Sequence, residues 1–438
     1  MKKFYIETYG CQMNIYDTQL IKKILKDNGW KETTDYNQAN LLLINTCAVR
    51  EHAEERVRGR LGLFKAIKKQ KKYVKVGLLG CMGQRLKEQL LEQKPVLDFV
   101  MGPDTYRRLP TVLDELNSGI KNKVVDTKLD KTEMYDEILP EKDENNKVST
   151  FITITRGCDN MCAFCIVPFT RGRERSKSPK LILNEIEDAL KKGYKEVMLL
   201  GQNVDKYLYK NVDFAKLLDM VANVDPKMRI RFLTSYPQDL KNSVLEIMAK
   251  NKNISRNIHL PVQSGSNRIL NLMRRGYTRE WYLDRIKAIR EILPDCAIGT
   301  DIITGFSTET EEDHLQTIDL MEQVQFDYAY MFKYSERPNT YAYRNLPDDV
   351  PEETKLRRLN EIIQIQNKHS YLSNKKDVNK IHEVLVEKTS KRSEKYLLGK
   401  NSQGKVIIFE GGKDLISQYV AVEVYDFTQA TLLGQLKN

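Results

Sequence analysis

The sequence has little of what an acid–base enzyme, a disulfide scaffold or a membrane protein needs. Its five histidines, His52, His259, His314, His369 and His382, form no motif, so each is expected to be structural. No apolar run approaches the length of a bilayer crossing, and the start, MKKFYIETYGCQMN, lacks the apolar core and small-residue cleavage site of a signal peptide. These absences predict a cytoplasmic protein with no membrane partner. The seven cysteines are an odd number, and in a reducing compartment their spacing is to be read as metal ligation or redox chemistry before structural disulfides. No low-complexity tract or short-period repeat is present.

What is there fits a folded, multidomain chain. A length of 438 residues exceeds one ordinary core and suggests three domains, and 41% hydrophobic with 30% charged residues suits a globular protein. The net charge of +11 points to a polyanionic partner, since lysine and arginine gain affinity for phosphates by releasing counterions.

The first hundred or so residues alternate short apolar runs with helical periodicity, as in a doubly wound parallel sheet. FYIETYG, LLLINT, KVGLLG and VLDFVMG read as strands, with helices opening near Ile15, Arg50 and Gln84. The charged stretch 124–147, which includes EKDENNK, reads as a linker between a domain at 1–123 and one at 148–375. In the latter, FITIT, KEVMLLG, RIRFLT, RNIHLP, CAIGTDIIT and DYAYMFKYS recur as β/α units. Six such units fit a partial (β/α)6 barrel, closed by a charged helix from about Pro351 to Tyr371. From residue 376 to 438 the pattern becomes alternating strands (HEVLVEK, YLLGKN, KVIIFE, YVAVEVYDF) with glycine-rich turns, a small β-barrel the size of oligonucleotide-binding barrels.

Two cysteine constellations stand out. Cys158, Cys162 and Cys165 lie in the loop after FITIT and the turn Arg156-Gly157. A zinc site normally takes four protein ligands, and no fourth is nearby, whereas an iron-sulfur cube held by three thiolates leaves one iron open to a small molecule. The alternative is a fragment of a zinc knuckle. Cys11, Cys47 and Cys81 each sit just past the end of a predicted parallel strand, and such ends converge on one ligand-binding edge. Three cysteines so placed can meet around a second cluster; the alternative is three unrelated core cysteines. Cys296 is read as a core residue.

The CxxxCxxC spacing, with Phe164 before its last cysteine, resembles the radical S-adenosylmethionine (SAM) superfamily. Together with Thr8-Tyr9-Gly10-Cys11-Gln12-Met13-Asn14, Asn45-Thr46-Cys47-Ala48-Val49-Arg50-Glu51, and Arg156-Gly157-Cys158 through Thr170-Arg171-Gly172-Arg173-Glu174-Arg175-Ser176, the chain resembles the methylthiotransferases along its full length. Gln12-Met13 places it nearest the branch acting on isopentenylated tRNA. That resemblance implies two 4Fe-4S clusters, a radical SAM cluster on Cys158, Cys162 and Cys165 and an auxiliary one on Cys11, Cys47 and Cys81. It implies methylthiolation at C2 of N6-isopentenyladenosine at position 37 of tRNA, with one SAM as methyl donor and a second as the radical source. It implies a C-terminal TRAM module that binds RNA, a low-potential electron donor such as flavodoxin or ferredoxin, and a protein that repairs or carries the cluster. A carbon radical suits this reaction, because an aromatic C–H is far too weak an acid for a general base.

Other candidates follow from barrel geometry, in which polar residues at carboxyl ends of strands line the site. Gly201, Gln202 and Asn203 follow one strand, Ser235 another and Gln263 a third, with the segment from Gly299 to Gly305 beside them. These, with Phe164, are expected at the SAM pocket, the alternative for each being a turn or helix cap. Arg171, Arg173, Arg175 and Lys177 crowd one loop and are expected to hold anticodon-loop phosphates, the alternative being a solvated charged loop. From residue 376 onward ten basic and eight acidic residues nearly cancel, so RNA affinity there must come from patch geometry and exposed aromatic or polar groups. Rival functions are modification of a ribosomal protein and a non-catalytic iron-sulfur RNA-binding regulator. A monomer is expected, since no interface pattern is visible.

Overall fold

The computed structural model describes residues 2–47, 51–142, 147–391 and 393–437, with the backbone alone over 51–55. The helix start expected at Arg50 and the central part of EKDENNK lie outside the described residues.

The N-terminal unit is a six-stranded parallel sheet. In chain order it comprises β1 (Lys3–Tyr9), α1 (Gln12–Asp27), β2 (Lys31–Glu32), β3 (Leu41–Thr46), α2 (Glu51–Gln70), β4 (Lys75–Gly80), α3 (Cys81–Gln93), β5 (Phe99–Met101), α4 (Leu109–Asn117) and β6 (Val124–Asp126). The strand order is β2-β1-β3-β4-β5-β6. Alternate residues of β3 serve opposite faces: Leu41 and Leu43 meet Leu20 and Ile24 of α1 and Val112 of α4, while Leu42 and Ile44 meet Val57 and Phe64 of α2 and Leu90 of α3. Both faces are therefore covered, the doubly wound arrangement expected from the sequence. Val124–Asp126 pairs in parallel with β5, so the sheet extends into what the sequence suggested was linker. Three residues are too short a run to stand out from their charged neighbours.

The stretch that follows is anchored. Tyr135 is buried, stacks on Tyr106 at 5.9 Å and donates its hydroxyl to the Pro103 carbonyl at 2.8 Å.

The central unit has the six expected parallel strands, in two arcs: Ser149–Thr153, Glu196–Leu200 and Arg229–Phe232, then Asn257–His259, Ala297–Thr304 and Tyr328–Lys333. A single bridge from Ile230 to Ile254 spans the gap between the arcs. Ile152, Val197, Ile230, Ile258 and Ile302 turn outward and bury against the surrounding helices in one core. The helix Glu352–Lys375 packs beside the last strand.

The C-terminal unit is a closed five-stranded barrel of Ile381–Ser390, Ser393–Lys400, Val406–Glu410, Leu432–Leu436 and Tyr419–Phe427. It docks on the central unit through arginines: Arg229 donates to the Lys400 carbonyl and Arg231 to the Asn401 carbonyl, each at 2.7 Å. No described helix is long and apolar enough to cross a membrane.

Candidate iron-sulfur sites and their surroundings

The N-terminal sheet explains how cysteines far apart in sequence meet. Tyr9 of β1 pairs with Thr46 of β3, and Thr46 pairs with Gly80 of β4. Cys11, Cys47 and Cys81 thus leave three adjacent strands at one level. Moreover, β1 and β3 flank the point where the strand order reverses, where ligands of such sheets bind. The helices start earlier than the sequence suggested: Cys11 caps α1, and Cys81 is the first residue of α3. Helix N-termini favour thiolate over thiol.

Beneath this triad two asparagines lock together. Asn14 Oδ1 accepts from Cys11 Sγ at 3.3 Å, and Asn45 Nδ2 donates to the Asn14 carbonyl at 2.8 Å and to Thr18 Oγ1 at 3.0 Å. The Cys11 thiol falls to about 6, through its hydrogen bond with Cys47 and the nearby Arg171 charge. Burial pushes the Cys81 thiol up, against the pull of Arg171.

Arg171 is the central cation here. Its Nε donates to Cys81 Sγ at 3.1 Å, and its Nη1 lies 2.7 Å from Asp17 Oδ2. Asp17 Oδ1 also accepts from Arg156 Nη2 at 3.1 Å, and the Arg156 guanidinium covers the Tyr135 ring at 5.0 Å. Arg156, Asp17 and Arg171 are all buried.

This overturns most of the sequence reading of the basic loop. Arg171 is consumed at the cysteines, Arg175 pairs with Asp104, and Lys177 pairs with Glu185, all three buried. Their carboxylate partners draw them inward, beyond reach of RNA phosphates. Arg173 alone stays exposed, 3.0 Å from Asp159.

The second triad sits in the loop after Ser149–Thr153. Gly157 takes φ +78°, and a Cβ there would collide with the Arg173 carbonyl, so glycine lets the loop fold against its own return strand. The Cys158 amide donates to the Gly172 carbonyl at 3.2 Å, and the Cys165 amide to the Cys162 carbonyl at 3.0 Å. Burial raises the Cys158 thiol to about 11 and the Cys165 thiol to about 12. Arg275 Nη1 donates to Cys162 Sγ at 3.3 Å.

The remaining candidates divide. Phe164 packs edge-on against Phe306 at 6.4 Å, in a small core beside the loop. Gln202 accepts from the Gly157 amide at 2.5 Å and so braces the cysteine loop. Asn203 is buried and donates to Asp239 at 2.6 Å, and Gly201 closes on Thr155. Ser235 is buried beside Asp205, whose carboxyl burial pushes up to about 7. Gln263 is buried and bridges to the strand Ala297–Thr304, its amide donating to the Asp301 carbonyl at 2.9 Å. Cys296 packs against the central core, away from both triads. His314, His369, His382 and His259 each face a carboxylate, of Glu361, Glu322, Asp377 and Asp301. The side chain of His52 lies outside the described residues.

Sequence reading missed Asp17, Arg156 and Arg275. Asp17 was detectable: it falls on the same helical stripe as Leu20, Ile21 and Ile24, where a lone charge needs a buried partner. Arg275, in the turn Arg274-Arg275-Gly276, looks like any basic surface turn.

The donor sets suit clusters. Among the described residues no three His, Cys, Asp or Glu side chains converge tightly enough for a single metal ion. A four-iron cube is a larger body and spreads its thiolates more widely. Each triad also meets a buried guanidinium, and in Arg171 the Nη2 is left without a hydrogen-bond partner, as an anionic guest would require.

Comparison with known proteins agrees. The Radical SAM superfamily matches residues 152–321, the uncharacterized protein family UPF0004 residues 3–102, and the TRAM domain residues 375–437. Among solved structures, the radical SAM methyltransferase TsrM from Kitasatospora setae superposes with TM-score 0.60 over 78% of this chain and 75% of its own, at 13% identity. OxsB, a cobalamin-dependent SAM radical enzyme, superposes at 0.58 over 85% of this chain and 57% of its own, at 14% identity. At such identities the likeness is one of fold. Fold and cysteine loop together define a radical SAM protein.

Closer relatives extend over the whole chain. A tRNA-2-methylthio-N(6)-dimethylallyladenosine synthase of Phocaeicola vulgatus is 48% identical over 99% of this chain and 96% of the relative. One from Azobacteroides pseudotrichonymphae is 49% identical over 100% and 97%. The chain belongs to the tRNA-2-methylthio-N(6)-dimethylallyladenosine synthase family.

Proposed function

We propose that the protein adds a methylthio group to C2 of N6-isopentenyladenosine at position 37 of tRNA, consuming SAM both as methyl donor and as radical source. The observation that carries this reading is the presence of two cysteine triads in one chain, joined by Arg171, in a chain matched end to end by synthases of that name. One triad alone would suit many radical enzymes; the second supplies what a sulfur transfer needs.

Cys158, Cys162 and Cys165 would hold the cluster that binds SAM, and Cys11, Cys47 and Cys81 the auxiliary cluster. When bound, these groups supply one-electron cleavage of SAM and the sulfur that is transferred. The chain's own residues do the rest. Gln202 fixes the cysteine loop through the Gly157 amide. Phe164, Gly201, Asn203, Ser235 and Gln263 would line the SAM pocket by the carboxyl ends of the central strands. Asp17 holds Arg171 against the auxiliary triad. Arg173, beside the cysteine loop, would meet the anticodon loop, whose splayed bases suit such readout, and the C-terminal barrel, seated at the opposite end of the central strands, would grip another part of the tRNA. Domain boundaries then fall after Asp126 and near Lys375. A flavodoxin- or ferredoxin-like reductant, a cluster-repair or carrier protein, a cytoplasmic setting and a monomeric state complete the reading.

Nucleoside mass spectrometry tests it, on isopentenylated tRNA incubated anaerobically with reconstituted protein, SAM and a low-potential reductant. The methylthio nucleoside is the expected product. SAM cleavage without that product would redirect the assignment to a threonylcarbamoylated adenosine or a ribosomal protein.

A further inference from the structure

Both cysteine triads face a buried arginine whose charge the protein leaves unbalanced. Arg275 donates from Nε to Tyr277 Oη at 2.9 Å, from Nη2 to the Pro261 carbonyl at 2.8 Å and from Nη1 to Cys162 Sγ at 3.3 Å. The Tyr236 and Tyr277 rings flank it at 4.4 and 5.3 Å. Among the described residues no carboxylate takes part in this cage; apart from the tyrosines, the group that can balance the guanidinium is Cys162. At the other triad, Arg156, Arg171 and Arg175 crowd two carboxylates, Asp17 and Asp104, so among the described residues one positive charge is again left over, beside Cys81. An isolated buried cation costs several kcal/mol, and a protein keeps one where an anion offsets it.

We infer that Arg171 and Arg275 are the counter-ions of the two clusters, each setting the reduction potential of its own. The inference rests on the reading that both triads hold clusters. Hydrogen bonds to cluster sulfurs and the local charge are levers on iron-sulfur potentials. Reduction adds negative charge, so a fixed donor and a buried cation both favour the reduced form. Each arginine therefore makes its cluster easier to reduce.

The two levers belong to different segments. Arg275 is supplied by the central unit to its own triad. Arg171 ends the short helix Val167–Arg171, just after Cys165, and reaches across to Cys81 in the other unit. The auxiliary site is electrostatically complete only when both units are docked.

The test is an EPR-monitored redox titration of the full-length, reconstituted protein in two backgrounds. Replacing Cys158, Cys162 and Cys165 with Ala leaves the auxiliary cluster, and replacing Cys11, Cys47 and Cys81 leaves the other. Arg171→Gln is expected to lower the midpoint potential in the first background and leave the second unchanged, and Arg275→Gln to do the reverse. The lysine variants, which keep the charge and a donor, should lie between Gln and wild type. Unchanged potentials at full iron content would overturn the inference, as would equal shifts at both clusters from either variant. If a Gln variant loses iron while the Lys variant keeps it, the counter-ion role stands. If both lose it, the arginine is a packing element and the inference fails. Absence of iron from both backgrounds with the arginines intact refutes the cluster reading itself, a separate result.

Discussion

Arg171 Nε donates to Cys81 Sγ across 3.1 Å, although the two residues lie 90 positions apart. One belongs to the helix after the radical SAM loop and the other opens a helix of the N-terminal sheet. The bond therefore joins the two cysteine sites through protein alone, and the carboxylate of Asp17 fastens it from behind.

Asp17 is the keystone of that junction, because two buried guanidiniums depend on it. Asp17→Asn should destabilise the iron-free protein by about 3–5 kcal/mol, the usual effect of leaving a buried charge unpaired. Urea unfolding measures this. A loss below about 1 kcal/mol, the scale of a surface ion pair, means the junction is solvated in solution.

The two triads are expected to separate chemically. Cys158→Ala should abolish SAM cleavage. Cys47→Ala should leave SAM cleavage while eliminating the methylthio product, with bound iron reduced to one cluster. Chromatography of 5′-deoxyadenosine and of digested tRNA reads both. If the Cys47 variant still forms product, the N-terminal triad is not the sulfur source.

Asp205 sets a pH dependence. Burial raises its carboxyl to about 7 from an ordinary value of 3.8, so the folded protein binds its proton more tightly than the unfolded chain does. The stability this contributes is fully present below about pH 4 and is lost as pH rises through about 7, amounting to roughly 4 kcal/mol at most. Asp205→Asn should flatten the decline between those limits and raise Tm at pH 8. Parallel melting curves for wild type and variant across that range would sink the assignment.

Much of this was legible in the sequence, and the reasons are specific. Runs such as LLLINT and KVGLLG are apolar on both faces, as only a buried parallel strand is, and a cysteine beyond each marks the ligand edge. The CxxxCxxC loop is local and needs no folding to be read. The surroundings were not legible. Arg171, Arg175 and Lys177 look like a basic surface loop because Asp17 and Asp104 lie in the other domain and Glu185 on a separate helix. Local spacing carries no trace of such tertiary pairs. The strand Val124–Asp126 was hidden by its length, since three residues show no period.

The seat of the C-terminal barrel was equally hidden, and it too makes a prediction. Arg231 is held by Glu196 at 2.7 Å and donates to the Asn401 carbonyl at 2.7 Å, while Arg229 donates to the Lys400 carbonyl beneath the Tyr419 ring. These bonds fix a hairpin of the barrel at the starts of central strands, opposite the cysteine loop. If RNA is gripped by both units, their fixed relation contributes affinity that neither has alone. The double variant Arg229→Met, Arg231→Met should therefore speed proteolysis near residues 376–380 and weaken tRNA binding by at least roughly tenfold, as freeing one of two linked contacts does. SAM cleavage without tRNA should not change, because the loop that carries Cys158 is braced by Gln202 and not by the barrel. Faster proteolysis with undiminished tRNA affinity would mean that the barrel binds RNA as an independent module and that its seat serves only folding.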